Sequence, residues 1–219
     1  MAALDPTWAR GIDVSVWQGK IDWDAVQASG IAYAFVRVSE AHEAKPHKVI
    51  VRRDAYSERN WQELAKRPAM LAGAYCYFRP DQSAKIQAEV FLAALDEYGV
   101  GYGSLPTALD IEEHCGFSAR RVTDAACEWL DIVHVKTGVR PILYSYSDFL
   151  KWHLCTERIA ECPLFVADYH NSSPVIPTDW ERFDFWQYTE HGSCHGIRSN
   201  VDLSIFNGTP AELRGSYFP

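Results

Sequence analysis

The sequence predicts an α/β protein built on a closed, mostly parallel β-barrel. Strand-like and helix-like segments alternate through most of the 219 residues, a pattern typical of parallel strands joined by helical crossovers. The chain lacks the glycine-rich loop of a dinucleotide-binding sheet, which favours a barrel over an open sheet. Acidic residues also fall on several of these strands or at their ends, and the ends are where parallel barrels carry their functional sites.

The first half of the chain alternates apolar runs with helical patterns. A run that is apolar on both faces indicates a strand buried on both sides. Helices are indicated by apolar residues every three to four positions and by glycine or proline at their ends. These rules predict strand 11–17, helix 22–29, strand 31–38, a polar loop over 41–51 containing His42, Pro46 and His47, helix 53–67, strand 70–78 and a long helix from Asp81.

The second half begins with a central strand and ends in strands. Ser118 is a suitable N-cap for a helix that Gly138 closes. Beyond residue 169 the pattern shows no further long helix. The predicted order is strand 105–112, helix 118–138, strand 141–146, helix 147–154, strand 164–169, strand 183–188 and strand 201–206.

Composition limits the partners that the protein can have. The hydrophobic content of 47% is enough for a substantial core, and the formal net charge is −8. We expect no nucleic-acid partner, because phosphate binding requires clustered Lys and Arg. We expect no membrane partner either, since no stretch approaches the ~20 apolar residues that a membrane span requires. A monomer is expected.

Neither the termini nor the cysteines point to a special compartment or a metal. No secretory signal is visible, so either a signal was removed or the protein leaves its cell by another route. The six cysteines include no Cys-x-x-Cys pair and the histidines no His-x-x-x-His pair, so no metal site is expected. Cys155 and Cys162 flank a short segment and are the best candidates for a disulfide.

The central strand carries two acids on one face. In Leu105-Pro-Thr-Ala-Leu-Asp-Ile-Glu112, the period of two places Asp110 and Glu112 on the same side, with Cα atoms about 6.6 Å apart. Burying two acids is costly, and their mutual repulsion raises one pKa so that one carboxyl stays protonated near neutral pH. A protonated acid beside an ionised one is the arrangement that glycoside hydrolysis uses.

Other segments add acids and aromatics at other strands, and in this order they resemble one family. Asp13 lies on the first predicted strand and Asp202 on the last. The segments resemble glycoside hydrolase family 25, the lysozymes (N-acetylmuramidases) of phages, bacteria and fungi. They are Gly11-Ile-Asp-Val-Ser-Val-Trp-Gln-Gly19, Ala108-Leu-Asp-Ile-Glu112, Phe185-Trp-Gln-Tyr188 and Val201-Asp-Leu-Ser-Ile-Phe206.

The resemblance implies a fold, an activity and a domain arrangement. The implied fold is a modified TIM-like barrel with eight strands and fewer helices than a full (β/α)8 barrel. The implied activity is cleavage, with retention, of the β-1,4 bond between N-acetylmuramic acid and N-acetylglucosamine in bacterial peptidoglycan, without a metal or organic cofactor. We expect one catalytic domain over 1–219, with its core at about 11–208, and no separate wall-binding domain. A phage lysis enzyme would fit this description.

The resemblance also assigns roles. Glu112 is expected to act as general acid and then as general base. Asp110 either attacks directly or orients the substrate's own acetamido group, and the sequence leaves both open. Asp13 and Asp202 are expected to hold the charge state of the pair and to bind the sugar. The candidates for substrate binding are Tyr77, Tyr144, Trp186, Gln187 and Arg37.

Two other functions and one local departure stay open at this point. A chitinase-like glycosidase on a related barrel also uses Asp-x-Glu, but with a longer acidic motif than Thr107 and Ala108 allow here. A non-catalytic wall-binding protein is the other class, and the intact acid pair argues against it. Residues 41–46 match the family poorly. Glu113 adds a third acid, which strand spacing predicts to point away from the pair.

Overall fold

The computed structural model describes residues 4–45 and 48–217. Within these residues the chain forms nine β-strands and six α-helices. The strands are β1 (Arg10–Val14), β2 (Tyr33–Lys45), β3 (Lys48–Arg53), β4 (Leu71–Phe78), β5 (Ala108–Ile111), β6 (Ile142–Tyr146), β7 (Leu164–Ala167), β8 (Phe185–Gly192) and β9 (Val201–Phe206). The helices are α1 (Trp23–Ala28), α2 (Ser57–Ala65), α3 (Ala84–Tyr98), α4 (Ala119–Thr137), α5 (Ser147–His153) and α6 (Pro210–Tyr217).

Eight of the described strands close into a barrel, as the sequence predicts. They follow the order β1-β2-β4-β5-β6-β7-β8-β9, and β9 pairs with β1 to complete the ring. Neighbouring strands are parallel except around β9, which runs antiparallel to both β8 and β1. Because β9 is reversed, its first residues lie at the same end of the barrel as the last residues of the other strands.

The barrel interior is filled at one end and polar at the other. The aromatic rings of Tyr33 and Phe35 fill the interior. The neighbouring strands carry glycine opposite these rings, because a larger residue would leave no room for them. A Cβ on Gly11 would lie 2.0 Å from the Tyr33 ring, and one on Gly73 would lie 2.2 Å from the Phe35 ring. This apolar packing forms the floor on which the polar residues at the other end rest.

Helices cover the outside of the barrel where crossovers occur. In α4, Ser118 caps the first turn by accepting from the Arg121 N–H, and Gly138 ends the helix with φ of 75°. Trp61 and Trp129 are fully buried in the layer between strands and helices. No α-helix lies between β7 and β8 or between β8 and β9 among the described residues, so the barrel has fewer helices than a full (β/α)8 barrel.

The predicted polar loop over 41–51 is wrong, because most of it forms a β-hairpin. β2 continues past Val38 to Lys45 and pairs antiparallel with β3. The many charged residues interrupt the apolar alternation by which a strand is recognised in a sequence. They also stabilise the hairpin, because Arg52 and Glu40 form a cross-strand ion pair of 2.6 Å. His42 lies on β2, whereas Pro46 and His47 lie outside the described residues.

Helix α6 and the cysteines also differ from the prediction. The sequence Thr209-Pro-Ala-Glu212 contains a capping box, in which Thr209 N–H donates to Glu212 Oε2 and Glu212 N–H donates to Thr209 Oγ1. This motif indicates the start of a helix, but α6 was not predicted.

The expected disulfide is wrong, since Cys155 and Cys162 are both free thiols. Cys162 packs in the outer core and Cys155 lies outside it. None of the described helices is long and apolar enough to cross a bilayer.

Candidate active site

A cavity of about 230 Å³ opens at the end of the barrel where the parallel strands finish. Eight of the nine residues proposed from the sequence line it, and Trp186 is the exception. Alternate residues of each strand face the barrel interior, so side chains on or directly after seven different strands converge here. The eight are Asp13, Arg37, Tyr77, Asp110, Glu112, Tyr144, Gln187 and Asp202.

The first acid pair is formed by Asp110 on β5 and Glu112 directly after it. Their carboxyl groups lie within hydrogen-bonding reach of each other. Burial, followed by the charge of Glu112, raises the pKa of Asp110 well above its usual value. Burial also raises the pKa of Glu112, and the hydrogen bond with Asp110 partly offsets this. The pair therefore retains one proton between its two carboxyl groups near neutral pH.

The buried Oδ1 of Asp110 supports this shared proton. No hydrogen-bond donor from the described part of the chain reaches that oxygen. An ionised carboxylate with a buried, unpartnered oxygen would carry a large desolvation cost. A proton held between the two carboxyl groups lowers that cost, because only one negative charge is then buried.

The second acid pair joins opposite ends of the chain. β1 and β9 are in register with Asp13 opposite Asp202, and the two carboxyl groups share a hydrogen bond. Burial, followed by the charge of Asp13, raises the pKa of Asp202 to about 9. Burial raises the pKa of Asp13 too, while hydrogen bonds from Asp202 and Gln187 act against the rise. Asp202 is therefore the protonated partner and Asp13 the ionised one.

Gln187 holds the second pair in place. Its amide Nε2 donates to Asp13 Oδ2 at 2.9 Å. Its Oε1 accepts from two phenols, Tyr144 at 2.7 Å and Tyr169 at 2.5 Å. An ionised Asp13 can only accept, so the amide N–H group must face it, and Oε1 then accepts from the two phenols, which can donate. Gln187 is only 2% exposed, so it orients other residues more than it offers itself to a substrate.

Arg37 lies at the edge of the cavity but uses its own donors within the protein. Its Nε and Nη2 donate to Asp54 Oδ2 at 3.0 and 2.9 Å. Its Nη1 lies 3.2 Å from Glu40 Oε2. Asp54 is fully buried and also accepts from the Val16 N–H at 2.9 Å. Asp54 thus holds the Arg37 guanidinium at the edge of the cavity, where its charge acts against the rise in the pKa of Asp110.

Tyr77 and Glu113 are linked at the rim. The Tyr77 hydroxyl donates to Glu113 Oε1 at 2.8 Å, and Arg79 pairs with the other carboxylate oxygen. Glu113 does not line the cavity, yet it contacts a residue that does. The expectation that Glu113 points away from the site is therefore only half right, because β5 ends at Ile111 and strand alternation no longer applies.

Trp186 does not face the cavity, and its predicted role in binding sugar is corrected. It is 4% exposed and belongs to the outer core, and its Nε1 donates to the Asp168 carbonyl at 2.9 Å. The reason is parity along β8, since Gln187 points inward and its neighbour must point outward. Trp186 was proposed because it lies close to the C-terminal end of its strand, but that position does not decide which face of the strand a residue occupies.

Several lining residues and a neighbouring cavity were not predicted from the sequence. Trp17 and Tyr75 both line the acid cavity. Trp17 follows Asp13 and Ser15 at the same parity, which was the available signal. A second cavity of about 750 Å³ shares Glu112 with the first and extends towards α5.

Loop 168–175, which forms one wall of the second cavity, is organised by Asp168. This carboxylate accepts from the backbone N–H groups of His170, Asn171 and Val175. It also accepts from the Ser147 hydroxyl at the start of α5. The wall of the second cavity is thereby fixed to the barrel. Within residues 4–45 and 48–217, no three His, Cys, Asp or Glu side chains are grouped so as to hold a metal ion.

Known proteins resemble this chain in sequence and in structure. The sequence profile of glycosyl hydrolases family 25 matches residues 12–197. The uncharacterized protein YegX of Escherichia coli O6:H1 is 38% identical, over 94% of this chain and 72% of its own length. Lysozyme M1 of Streptomyces globisporus is 29% identical, over 95% of this chain and 71% of its own length.

The structural similarity extends over the entire barrel. The crystal structure of the bacterial lysozyme from Streptomyces coelicolor matches with a TM-score of 0.80 at 26% identity. The match covers 97% of this chain and 98% of that one. Because the family profile spans most of the chain and the barrel matches a lysozyme throughout, the chain belongs to glycosyl hydrolases family 25.

Proposed function

We propose that this protein is a peptidoglycan muramidase. It hydrolyses the β-1,4 bond between N-acetylmuramic acid and N-acetylglucosamine in bacterial cell walls, with retention at the anomeric carbon. The catalytic domain is the barrel, at about residues 11–208. Family membership and the lysozymes among its relatives support this activity over a chitinase-like glycosidase or a non-catalytic wall-binding protein.

The observation that carries the proposal is the acid pair Asp110–Glu112. Both carboxyl groups line the cavity, and burial raises both pKa values so that one proton stays on the pair. The pKa of Asp110 is raised further than that of Glu112, so the proton rests on Asp110 before the reaction and passes to Glu112 across their hydrogen bond. Glu112 gives it to the glycosidic oxygen as the bond to the anomeric carbon breaks, so the leaving sugar departs as an alcohol and Asp110 is left ionised. Glu112, now ionised, then removes a proton from the water that completes hydrolysis.

The distance within the pair favours one of the two roles left open for Asp110. A nucleophile that faces the acid across a sugar ring has its carboxyl group about 5–5.5 Å from that of the acid. Here the two carboxyl groups are within hydrogen-bonding reach, which is closer. In our proposal Asp110 therefore orients the acetamido group of the substrate. The acetamido oxygen attacks the anomeric carbon, and water later opens the resulting cyclic intermediate.

The second pair and its neighbours hold the sugar and the electrostatic balance. Asp13 is the ionised acid nearest the Gln187 amide, and Asp202 is its protonated partner. Tyr77 and Tyr144 present aromatic faces and hydroxyls, which suit the apolar faces and hydroxyls of a sugar. Arg37, held by Asp54 and Glu40, acts against the rise in the pKa of Asp110.

Replacing Glu112 with Gln tests the proposal. The amide keeps the shape of the side chain but cannot transfer the proton, so clearing of a cell-wall suspension should slow by at least ~100-fold. The matched control is Glu128→Gln, which changes an exposed acid on α4 and should leave lysis unchanged. Lysis by Glu112→Gln within threefold of the unaltered protein, with an unchanged circular dichroism spectrum, would remove Glu112 from its role.

A further inference from the structure

We infer that the exposed indole of Trp17 is a carbohydrate-binding platform at the rim of the acid cavity, on which a sugar ring of the glycan stacks. The inference rests on the proposed function, because the glycan it names is the polymer that the acid pair cleaves. It adds a binding residue beyond those proposed from the sequence. It also predicts which kinetic parameter the residue controls.

Trp17 is unusual because its large aromatic side chain is both highly exposed and part of the cavity wall. Its side chain is 77% exposed, although tryptophan is usually among the more buried residues. It also lines the cavity that contains Asp13 and Glu112. Trp152 is exposed to a similar extent, at 64%, but it does not line the cavity, and Lys151 Nζ lies over its ring. The exposed indole of Trp17 thus lies at the acid cavity, whereas the exposed indole of Trp152 does not line it.

The turn that carries Trp17 is fixed from within. Residues Val16–Gln18 form one turn of 3-10 helix with a capping box. The Ser15 N–H donates to Gln18 Oε1 at 2.8 Å, and the Trp17 N–H donates to Ser15 Oγ at 3.3 Å. This pairing satisfies backbone groups at the start of the turn and sets the direction in which the Cα–Cβ bond of Trp17 leaves the backbone.

Two other segments hold the same turn from outside. Asp54, the carboxylate that also binds Arg37, accepts from the Val16 N–H at 2.9 Å. From the loop before β9, the Asn200 carbonyl accepts from Gln18 Nε2 at 3.2 Å, and the Ser199 hydroxyl donates to the Trp17 carbonyl at 3.5 Å. Because three parts of the chain hold this turn, little backbone entropy is lost when a ligand packs on the indole.

The chemistry of such a surface suits a pyranose ring. One side of a sugar ring presents mainly C–H groups, and these pack on the electron-rich face of an aromatic ring. Trp17 lines the cavity and is largely exposed, so it lies at the rim, and we assign its contact to a sugar next to the one whose bond is cleaved. An indole makes the same contact before and during the reaction. Its loss should therefore raise KM and leave kcat nearly unchanged.

Binding in a catalytically inactive background tests the inference. In Glu112→Gln protein, calorimetry should measure the affinity for a soluble, peptide-free hexasaccharide prepared from peptidoglycan. Adding Trp17→Ala should weaken binding by about 3- to 10-fold, and Trp17→Phe should weaken it less. Trp152→Ala is the matched control and should change nothing. In the active protein, Trp17→Ala should raise KM for the same oligosaccharide with kcat within twofold.

The outcomes separate this inference from the proposed function. If Trp17→Ala binds the hexasaccharide as tightly as its parent, with an unchanged circular dichroism spectrum, the platform is wrong while the muramidase proposal stands. A fall in kcat at constant KM would also contradict it, because that result would indicate a role in the transition state. If the Glu112→Gln parent does not bind the glycan at all, the proposed function fails, and the inference fails with it.

Discussion

The two acid pairs reach a similar electrostatic state by different structural routes. Asp110 and Glu112 are two residues apart and meet at the end of a single strand. Asp13 and Asp202 come from the first and last strands and meet only because β9 is antiparallel to β1 and in register with it. In both pairs, burial raises the pKa values and leaves a proton shared between two carboxyl groups.

The companions of each pair differ, and this difference suggests different tasks. Asp13 receives a hydrogen bond from the Gln187 amide, whose orientation two phenols fix. Oδ1 of Asp110 has no donor from the described residues. A charge with fixed donors is stabilised and stays where it is, whereas a proton held only between two carboxyl groups is available for transfer. We therefore assign proton transfer to the first pair and electrostatic support to the second.

The largest effect should follow from altering the first pair at Asp110. Asp110→Asn should reduce lysis about 100-fold, because the amide cannot match the carboxylate in orienting the acetamido group. For the same reason, walls whose muramic acid lacks the N-acetyl group should resist the unaltered protein. Normal cleavage of such walls, or a fluorosugar that traps an ester on Asp110, would instead identify Asp110 as the nucleophile.

An intermediate effect should follow from releasing the second pair from its donor. Gln187→Leu removes a hydrogen bond to a charged group, so kcat/KM should fall by about tenfold. Trp186→Phe is the matched control, since that neighbour faces the outer core, and its kcat/KM should stay within twofold. If kcat/KM fell equally in the two variants, measured at equal folded fraction, the result would contradict the assignment of Gln187 to the inside of the barrel and Trp186 to the outside.

The last prediction concerns stability rather than reaction rate, and its dependence on pH at Asp202. The pKa of this residue is about 9 in the folded protein, above the value of ~3.9 for an unfolded aspartate. The folded state therefore holds a proton that the unfolded state releases, so the stabilisation is complete below about pH 4 and is lost as the pH rises towards 9.

Asp202→Asn removes that dependence, because the amide still donates to Asp13 but does not ionise. The melting temperature of the variant should equal that of the unaltered protein near pH 4 and exceed it by a growing margin up to about pH 9. Thermal unfolding followed by circular dichroism at several pH values measures this difference. A margin that shrinks as the pH rises would mean that Asp202 is ionised in the folded protein.

The sequence was informative wherever a short-range rule decided the outcome. Strand and helix alternation predicted the barrel, and the period of two placed Asp110 and Glu112 together. Prediction from the sequence failed where the structure of a segment depends on residues that are distant in the chain. The hairpin of β2 and β3 depends on cross-strand pairs such as Arg52 with Glu40, and the inward face of β8 depends on how the barrel closes. For that reason the sequence predicted Trp186 as a binding residue and did not predict Trp17.

The identity of the sugar at the new reducing end tests the central claim most directly. After digestion of purified cell walls, the products are reduced with borohydride and analysed by mass spectrometry. Cleavage between N-acetylmuramic acid and N-acetylglucosamine by the proposed route leaves muramic acid at the reducing end, so muramitol should appear. Glucosaminitol would show a glucosaminidase instead, and the absence of any new reducing end would show that the wall is opened at its peptides, which would contradict the proposed function.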